Sequence, residues 1–301
     1  MTQPVLIIHG GAGGSFKDFR RPMRIRRKIQ RILRTSYKKL LATNALEAVT
    51  CAVKLLEDDP EFNAGTGSQL QRDGRARLSA SIMDGSRQRF AGVINIEKIK
   101  NPILVAHALL CEKDRVLNGA GAFRFAKKSG LKAVDPRTKK SIRRWKQWKE
   151  AGYDTVGACA LDRFGNLASA TSTGGRGFER PGRVSDSGMP VANYADERSA
   201  ISATGIGEEI IDEGLAIKIA TRVRDGLSLS RAFQKTFDEI RTRGRRIGAI
   251  GLDSKGNVFH ATTTEILLYG WRGGGSYPKR ARNGASFRKT ASMDTTVAQR
   301  R

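Results

Sequence analysis

Gly152-Tyr153-Asp154-Thr155-Val156-Gly157-Ala158-Cys159-Ala160-Leu161 is the stretch on which the reading of this chain turns. Before it, residues 127–152 are dense in charge and weakly patterned, and read as an exposed connector. After Thr155 the character changes: 156–161 is a strand of small apolar residues, Asp162-Arg163-Phe164-Gly165-Asn166 turns the chain, and 167–171 returns. The pattern recurs at 247–252, Asp253-Ser254-Lys255-Gly256-Asn257 and 258–262. Two such hairpins imply antiparallel sheet. Between them, 208–223 and 228–241 repeat apolar residues at helical spacing, so the expected class is α+β, with sheets covered by helices.

Working outward, 5–8 is an apolar strand leading into His9-Gly10-Gly11-Ala12-Gly13-Gly14, whose glycine spacing does not match a dinucleotide fingerprint. Residues 20–57 read as two helices, with Ile25, Ile29, Ile32 and Leu33 on the first face and Leu46, Val49, Val53 and Leu56 on the second. Asn44, with Glu47 three residues on, is the expected cap of the second. Residues 60–67 form a turn-rich loop, 78–83 and 89–96 are strands around Asp84-Gly85, and 102–111 is an apolar helix.

Composition narrows the function classes. The chain has 301 residues, 39% of them hydrophobic, and no run approaches the roughly 18 apolar residues of a membrane span. The start lacks the basic and long apolar regions of a signal peptide, which makes the cytoplasm the expected location. Cys51, Cys111 and Cys159 each lie in apolar sequence and are expected to be buried free thiols. The only histidines are His9, His107 and His260, and no Cys/His spacing matches a zinc site. There is no Gly-x-Ser-x-Gly elbow for a serine triad. The net charge of +26 is concentrated at 20–39, 127–149 and the tail 279–301. Weak, salt-sensitive binding to polyanions is the expectation from that charge. Trp145 and Trp148 interleave the basic patch at 127–149, but no patch carries a repeated run of aromatic residues, so a base-stacking platform is not indicated.

Four motifs follow one another downstream of the connector. Thr155 is followed by Thr171-Ser172-Thr173-Gly174-Gly175, then Gly182-Arg183-Val184-Ser185-Asp186-Ser187, then Ala203-Thr204-Gly205-Ile206-Gly207-Glu208. In that order the chain resembles the plant-type L-asparaginase/isoaspartyl peptidase family, threonine members of the N-terminal nucleophile hydrolases, over about residues 5–271. The resemblance implies a four-layer αββα sandwich. It also implies self-cleavage between Asp154 and Thr155 into subunits 1–154 and 155–301, which remain one folded unit. Within them, 127–154 would be an exposed linker and about 279–301 a flexible tail. Two αβ units would pair into a dimer of heterodimers.

The chemistry suits the residues. A threonine hydroxyl needs a base, and a freed α-amine, with a pKa of about 8, lies beside its own hydroxyl. No histidine is then required. By resemblance, Thr173 packs beside the nucleophile, and Arg183 grips the substrate α-carboxylate with two hydrogen bonds. Asp186 meets the α-ammonium, Thr204 and Gly205 form the oxyanion hole, and Gly207 contacts substrate. Asn63 supports maturation or the oxyanion. The backbone carbonyls of Leu56, Glu57, Asp59, Phe62, Ala64 and Thr66 would hold a structural sodium ion, and no cofactor is expected for catalysis. The implied activity is hydrolysis of the β-amide of L-asparagine and of β-aspartyl (isoaspartyl) dipeptides. The chain departs from the family pattern at Asp154, which is more typical of glycosylasparaginases, at Ser79, where Asp is expected, and at Ile266-Leu267, where Gly-Met is expected. A glycosylasparaginase is therefore the alternative within the superfamily. A basic nucleic-acid-binding protein on an inactive hydrolase scaffold is the alternative from another class.

Overall fold

The computed structural model describes residues 2–13, 21–147, 155–274 and 295–299. The first segment is β1 (Val5–Gly13). Two helices follow, α1 (Arg21–Ala42) and α2 (Ala45–Asp58), with Asn44 capping the second by accepting the Glu47 N–H at 2.9 Å. Next come β2 (Leu78–Asp84), β3 (Arg89–Ile96), α3 (Pro102–Leu109), β4 (Val116–Asn118) and α4 (Gly119–Lys128). The region expected to be a plain connector holds a further helix, α5 (Lys139–Lys146). Its apolar pattern is weak, but Thr138 and Ser141 form a reciprocal capping box that satisfies its first N–H groups. Residues 148–154, including Asp154 of the expected cleavage site, lie outside the described residues.

The second half supplies β5 (Val156–Leu161), β6 (Leu167–Thr173), β7 (Asn193–Ala195) and β8 (Ser199–Gly205). It continues with α6 (Gly207–Glu213), α7 (Leu215–Arg224) and α8 (Leu229–Thr242), the expected single helix over 208–223 being divided at Gly214. Last come β9 (Ile247–Asp253), β10 (Val258–Thr262), β11 (Ile266–Gly273) and β12 (Thr295–Gln299). Of the tail 279–301, only the five residues of β12 are described; they pair antiparallel with β11.

The strands form two sheets. The larger has the order β12-β11-β1-β5-β6-β2-β3-β4, and the smaller β10-β9-β8-β7. All pairings are antiparallel except β3 with β4. The two hairpins anticipated from sequence thus belong to different sheets.

Period-two alternation decides which face each residue serves. In β1, Leu6 and Ile8 point into a core shared with α1 to α4, while Val5 and Ile7 point into a second core with Ile250 and Leu252 of the small sheet. In β5, Val156, Ala158 and Ala160 join the first core and Cys159 and Leu161 the second. The small sheet turns Ile201, Ala203, Ile247 and Ala249 toward α6, α7 and α8. The chain is thus a mixed fold of helices and two sheets, and its central strands are buried on both faces. Cys159 is buried, as expected, but Cys51 is half-buried in α2 and Cys111 is exposed in the turn after α3; all three are free thiols. Among the described residues, no helix is long and apolar enough to cross a membrane.

Candidate active site

Thr155 immediately precedes β5 and is buried, with 5% of its surface exposed. The β5–β6 register pairs Val156 with Ser172 and Gly157 with Thr171, so one further step sets Thr155 beside Thr173. From the small sheet, the Thr204 hydroxyl donates to the Thr155 carbonyl at 3.5 Å and accepts the Ala12 N–H at 3.2 Å. Three segments distant in sequence thus converge on Thr155: the end of β1, the end of β6 and the end of β8.

Gly157 shows why a glycine stands two residues after Thr155. A Cβ there would run into both Ser202 Oγ and His9 Nε2. Its absence lets His9 Nε2 and Ser202 Oγ meet at 2.9 Å, and Ser202 Oγ and Thr171 Oγ1 at 3.0 Å. Burial pushes the His9 imidazole down to about 3, with the Thr155 backbone opposing the shift, so the ring is neutral at ordinary pH. A neutral polar chain therefore runs between the sheets beside Thr155. His9 was visible in the sequence as part of a glycine motif, but its partner lies 193 residues away, and no local signal links them.

Past Thr204 the chain passes through Gly205 into α6, where the second group of expected residues gathers. A Cβ on Gly207 would lie 2.6 Å from Asp186 Oδ1 and 2.7 Å from an Arg183 guanidinium nitrogen, so both side chains lie against its bare α-carbon. The Arg183 guanidinium forms two hydrogen bonds to the Glu208 carboxylate, at 2.9 and 3.0 Å. Asp186 is buried; Oδ1 accepts from the Ser185 hydroxyl at 3.3 Å, and Oδ2 has no hydrogen-bond partner among the described residues. Desolvation raises its carboxyl to about 6, against the pull of Arg183. Glu208 was quoted in the last motif without a role; the structure makes it the occupant of the Arg183 fork.

Asn63 does not reach Thr155 through any described hydrogen bond. It braces the turn after Thr173: its amide donates to the Gly175 carbonyl at 2.5 Å, and its own carbonyl accepts the Gly174 N–H at 2.9 Å. The Gly175 N–H in turn donates to the Thr173 hydroxyl at 3.2 Å. The loop after α2 curls beneath this turn. The carbonyls of Leu56 in the last turn of α2 and of Asp59 and Ala64 in the loop each accept one backbone N–H, at 3.2 to 3.3 Å, leaving each a second lone pair. The carbonyls of Glu57 and Lys100 close on the α-carbon of Gly65.

The model of the family described as "Asparaginase" matches residues 2–280. The chain belongs to the asparaginase family. A relative from Nostoc sp. named isoaspartyl peptidase/L-asparaginase is 44% identical over 91% of this chain and 93% of its own length. The Escherichia coli isoaspartyl peptidase is 35% identical over 92% and 95%. A plant-type L-asparaginase from Pyrococcus abyssi is 36% identical over 88% and 94%. In this asparaginase-family chain, two of the three departures from the family pattern, at Ser79 and Ile266-Leu267, are absorbed by the fold, and Asp154 lies outside the described residues. Ser79 is buried and accepts the Asn95 N–H at 3.1 Å. Ile266 and Leu267 are buried in β11, facing opposite cores.

The side chain of Glu57 is a feature that sequence reasoning missed. It is fully buried, accepting from Ser172 Oγ at 2.7 Å, the Ile103 N–H at 3.1 Å and Asn101 Nδ2 at 3.2 Å. Desolvation raises its carboxyl to about 8, against those three hydrogen bonds. It ties α2 and the start of α3 to the residue next to Thr173. On a helix with Glu47 and Asp58, a further glutamate reads as solvated surface; the hydroxyl that claims it lies 115 residues away.

Proposed function

We propose that this chain is a self-cleaving amidohydrolase that splits the β-amide of L-asparagine and of β-aspartyl dipeptides, releasing L-aspartate. The observation that carries the reading is the short run 204–208. At its start Thr204 touches Thr155, and at its end Glu208 and Gly207 touch Arg183 and Asp186. A substrate with a carboxylate and an ammonium at one end and an amide a few bonds away fits that arrangement. Names of relatives on both the peptidase and the asparaginase side support the same substrate class.

In this reading Thr155 is freed by hydrolysis of the Asp154–Thr155 bond. Its α-amine takes the proton from Oγ, which attacks the β-carbonyl carbon. The oxyanion is met by the Thr204 hydroxyl and the Gly205 N–H. The carbon–nitrogen bond then breaks, and the amine returns its proton to the leaving nitrogen. Water, deprotonated by the same amine, opens the resulting ester and restores Thr155. Thr173 orients the nucleophile, and Asn63 holds the turn that carries Thr173. Arg183 exchanges Glu208 for the substrate carboxylate, and ionised Asp186 receives the substrate ammonium.

The layering extends to a four-layer αββα sandwich, and two αβ units pair into a dimer of heterodimers. Backbone carbonyls of Leu56, Glu57, Asp59, Phe62, Ala64 and Thr66 would hold a sodium ion, a hard cation suited to oxygen donors. Its role there would be to stiffen the loop beneath Asn63.

Intact mass spectrometry after incubation tests the reading, alongside Thr155→Ala. Two fragments parted between Asp154 and Thr155, absent from the variant, are expected. Release of aspartate from L-asparagine and β-aspartyl-leucine should accompany them, with little from glycosylated asparagine. An uncleaved chain with no hydrolysis of any of the three would overturn it.

A further inference from the structure

We propose that the outer face of α1 is a docking surface for the phosphate backbone of nucleic acid, held by charge and without base reading. Helix α1 contains nine Lys and Arg residues and no Asp or Glu. Ile25, Ile29, Ile32, Ser36 and Leu40 are buried on one side. At about 100° per residue, Arg24, Arg27, Arg31, Arg34 and Lys38 fall within an arc of about 80° on the opposite side. All five are exposed, in a straight row about 16 Å long from Arg27 to Lys38.

Helix stability does not explain this row. Cations in the first turns oppose the helix dipole, and successive members lie three or four residues apart, where like charges repel. Nor do ion pairs neutralise more than two of its five charges. Arg24 reaches Glu61 only at 3.4 Å, Arg31 reaches Asp59 only at 3.7 Å, and Arg27, Arg34 and Lys38 form no ion pair among the described residues. At its N-terminal end the row meets a second basic surface, because Glu61 also lines a cleft with Lys140 and Arg144 of α5.

The chemistry of the row selects the partner. Guanidinium forks grip phosphate oxygens in pairs, and a linear row of cations matches a linear row of phosphates. An anionic membrane fits less well: Ile25, Ile29, Ile32 and Leu40 are spent in the core, and only Met23 and Leu41, one near each end of α1, are apolar and exposed beside the row, too few and too far apart for a continuous apolar face. No aromatic residue lies in the row to stack bases, so binding is independent of base sequence.

The test is fluorescence anisotropy of a labelled oligothymidylate of about 20 nucleotides between about 50 and 200 mM salt. The wild-type chain is compared with a triple Arg27→Gln, Arg34→Gln, Lys38→Gln variant. The wild type should bind with a steep salt dependence. The triple variant should lose about 2 from the slope of log K against log salt, at about 0.7 per phosphate contact, and bind at least about tenfold more weakly at the lowest salt. Its thermal midpoint should not fall, since like-charge repulsion along α1 is relieved, and its hydrolytic activity should be unchanged. The Arg27→Lys, Arg34→Lys double variant, which keeps the charge, should retain the slope. Should the glutamine triple unfold, Arg34→Gln alone should lower the slope by about 0.7. Equal slopes for wild type and variant would overturn the proposal, as would absence of oligonucleotide binding. Variant-sensitive binding to phosphatidylserine vesicles without binding to the oligonucleotide would also overturn it, in favour of a membrane. The proposal does not rest on the hydrolase reading.

Discussion

Asp186 lies where stability and function pull against each other. Its folded value near 6 exceeds the ordinary aspartate value of 3.8, so the fold favours the protonated form. That contribution is complete below about pH 3.8 and is lost as the pH rises through about 6. Asp186→Asn should therefore raise the unfolding free energy at pH 7.5, by up to about 3 kcal/mol, measured by chemical denaturation. The same variant should raise KM for β-aspartyl substrates by about tenfold or more, since the ammonium loses its counter-charge. In the wild type, kcat/KM should fall as the pH drops below about 6. Gly207→Ala makes a second test. Its methyl group would press on Asp186 Oδ1 and Arg183, so activity should fall by at least about tenfold, and a wild-type rate would show that the two side chains can move aside. At this scale the sequence was informative wherever residues share a short motif. Thr155, Arg183, Asp186, Thr204 and Gly207 could all be picked out in order. Glu57, Glu208 and His9 could not be assigned, because each is defined by a partner brought close only by folding.

Most of the helices and strands were legible for a plain reason: their apolar residues repeat at the period of the element they form. In α2, Val49, Val53 and Leu56 are buried, and the Asn44 cap is where the Asn-x-x-Glu spacing places it. Asn44→Ala should cost about 1 kcal/mol of stability, read from the denaturation midpoint at constant slope. Helix α5 was not legible. Its eight residues carry five Lys or Arg and only two apolar side chains, and its start depends on Thr138 and Ser141 satisfying each other's backbone. The partition of hairpins between two sheets was not legible either. Small residues such as Ala158, Ala160, Ala168 and Ala170 pack equally well against a helix or a second sheet. Alternation marks two faces but does not say what covers each.

Across the whole molecule, the two expected subunits are woven into one sheet. Strands β1, β2, β3 and β4 come from residues before Thr155, and β5, β6, β11 and β12 from residues after it. In the order β12-β11-β1-β5-β6-β2-β3-β4 they alternate at three junctions: β11 with β1, β1 with β5, and β6 with β2. Fragments 1–154 and 155–301 produced separately should each fail to fold, because each would expose strand edges and core faces that the other covers. A chain cut after folding should stay together on native size exclusion and separate only in denaturant. Co-purification of independently folded halves would contradict this. The weave also bears on when the enzyme can be made. Thr155 meets Thr204 and the end of β1 only after β5 has entered between β1 and β6. Under the proposed maturation, the nucleophile comes into existence only in a chain that has finished folding. Misfolded copies would remain inert precursors, and the cell would never hold a half-built hydrolase with a working active site.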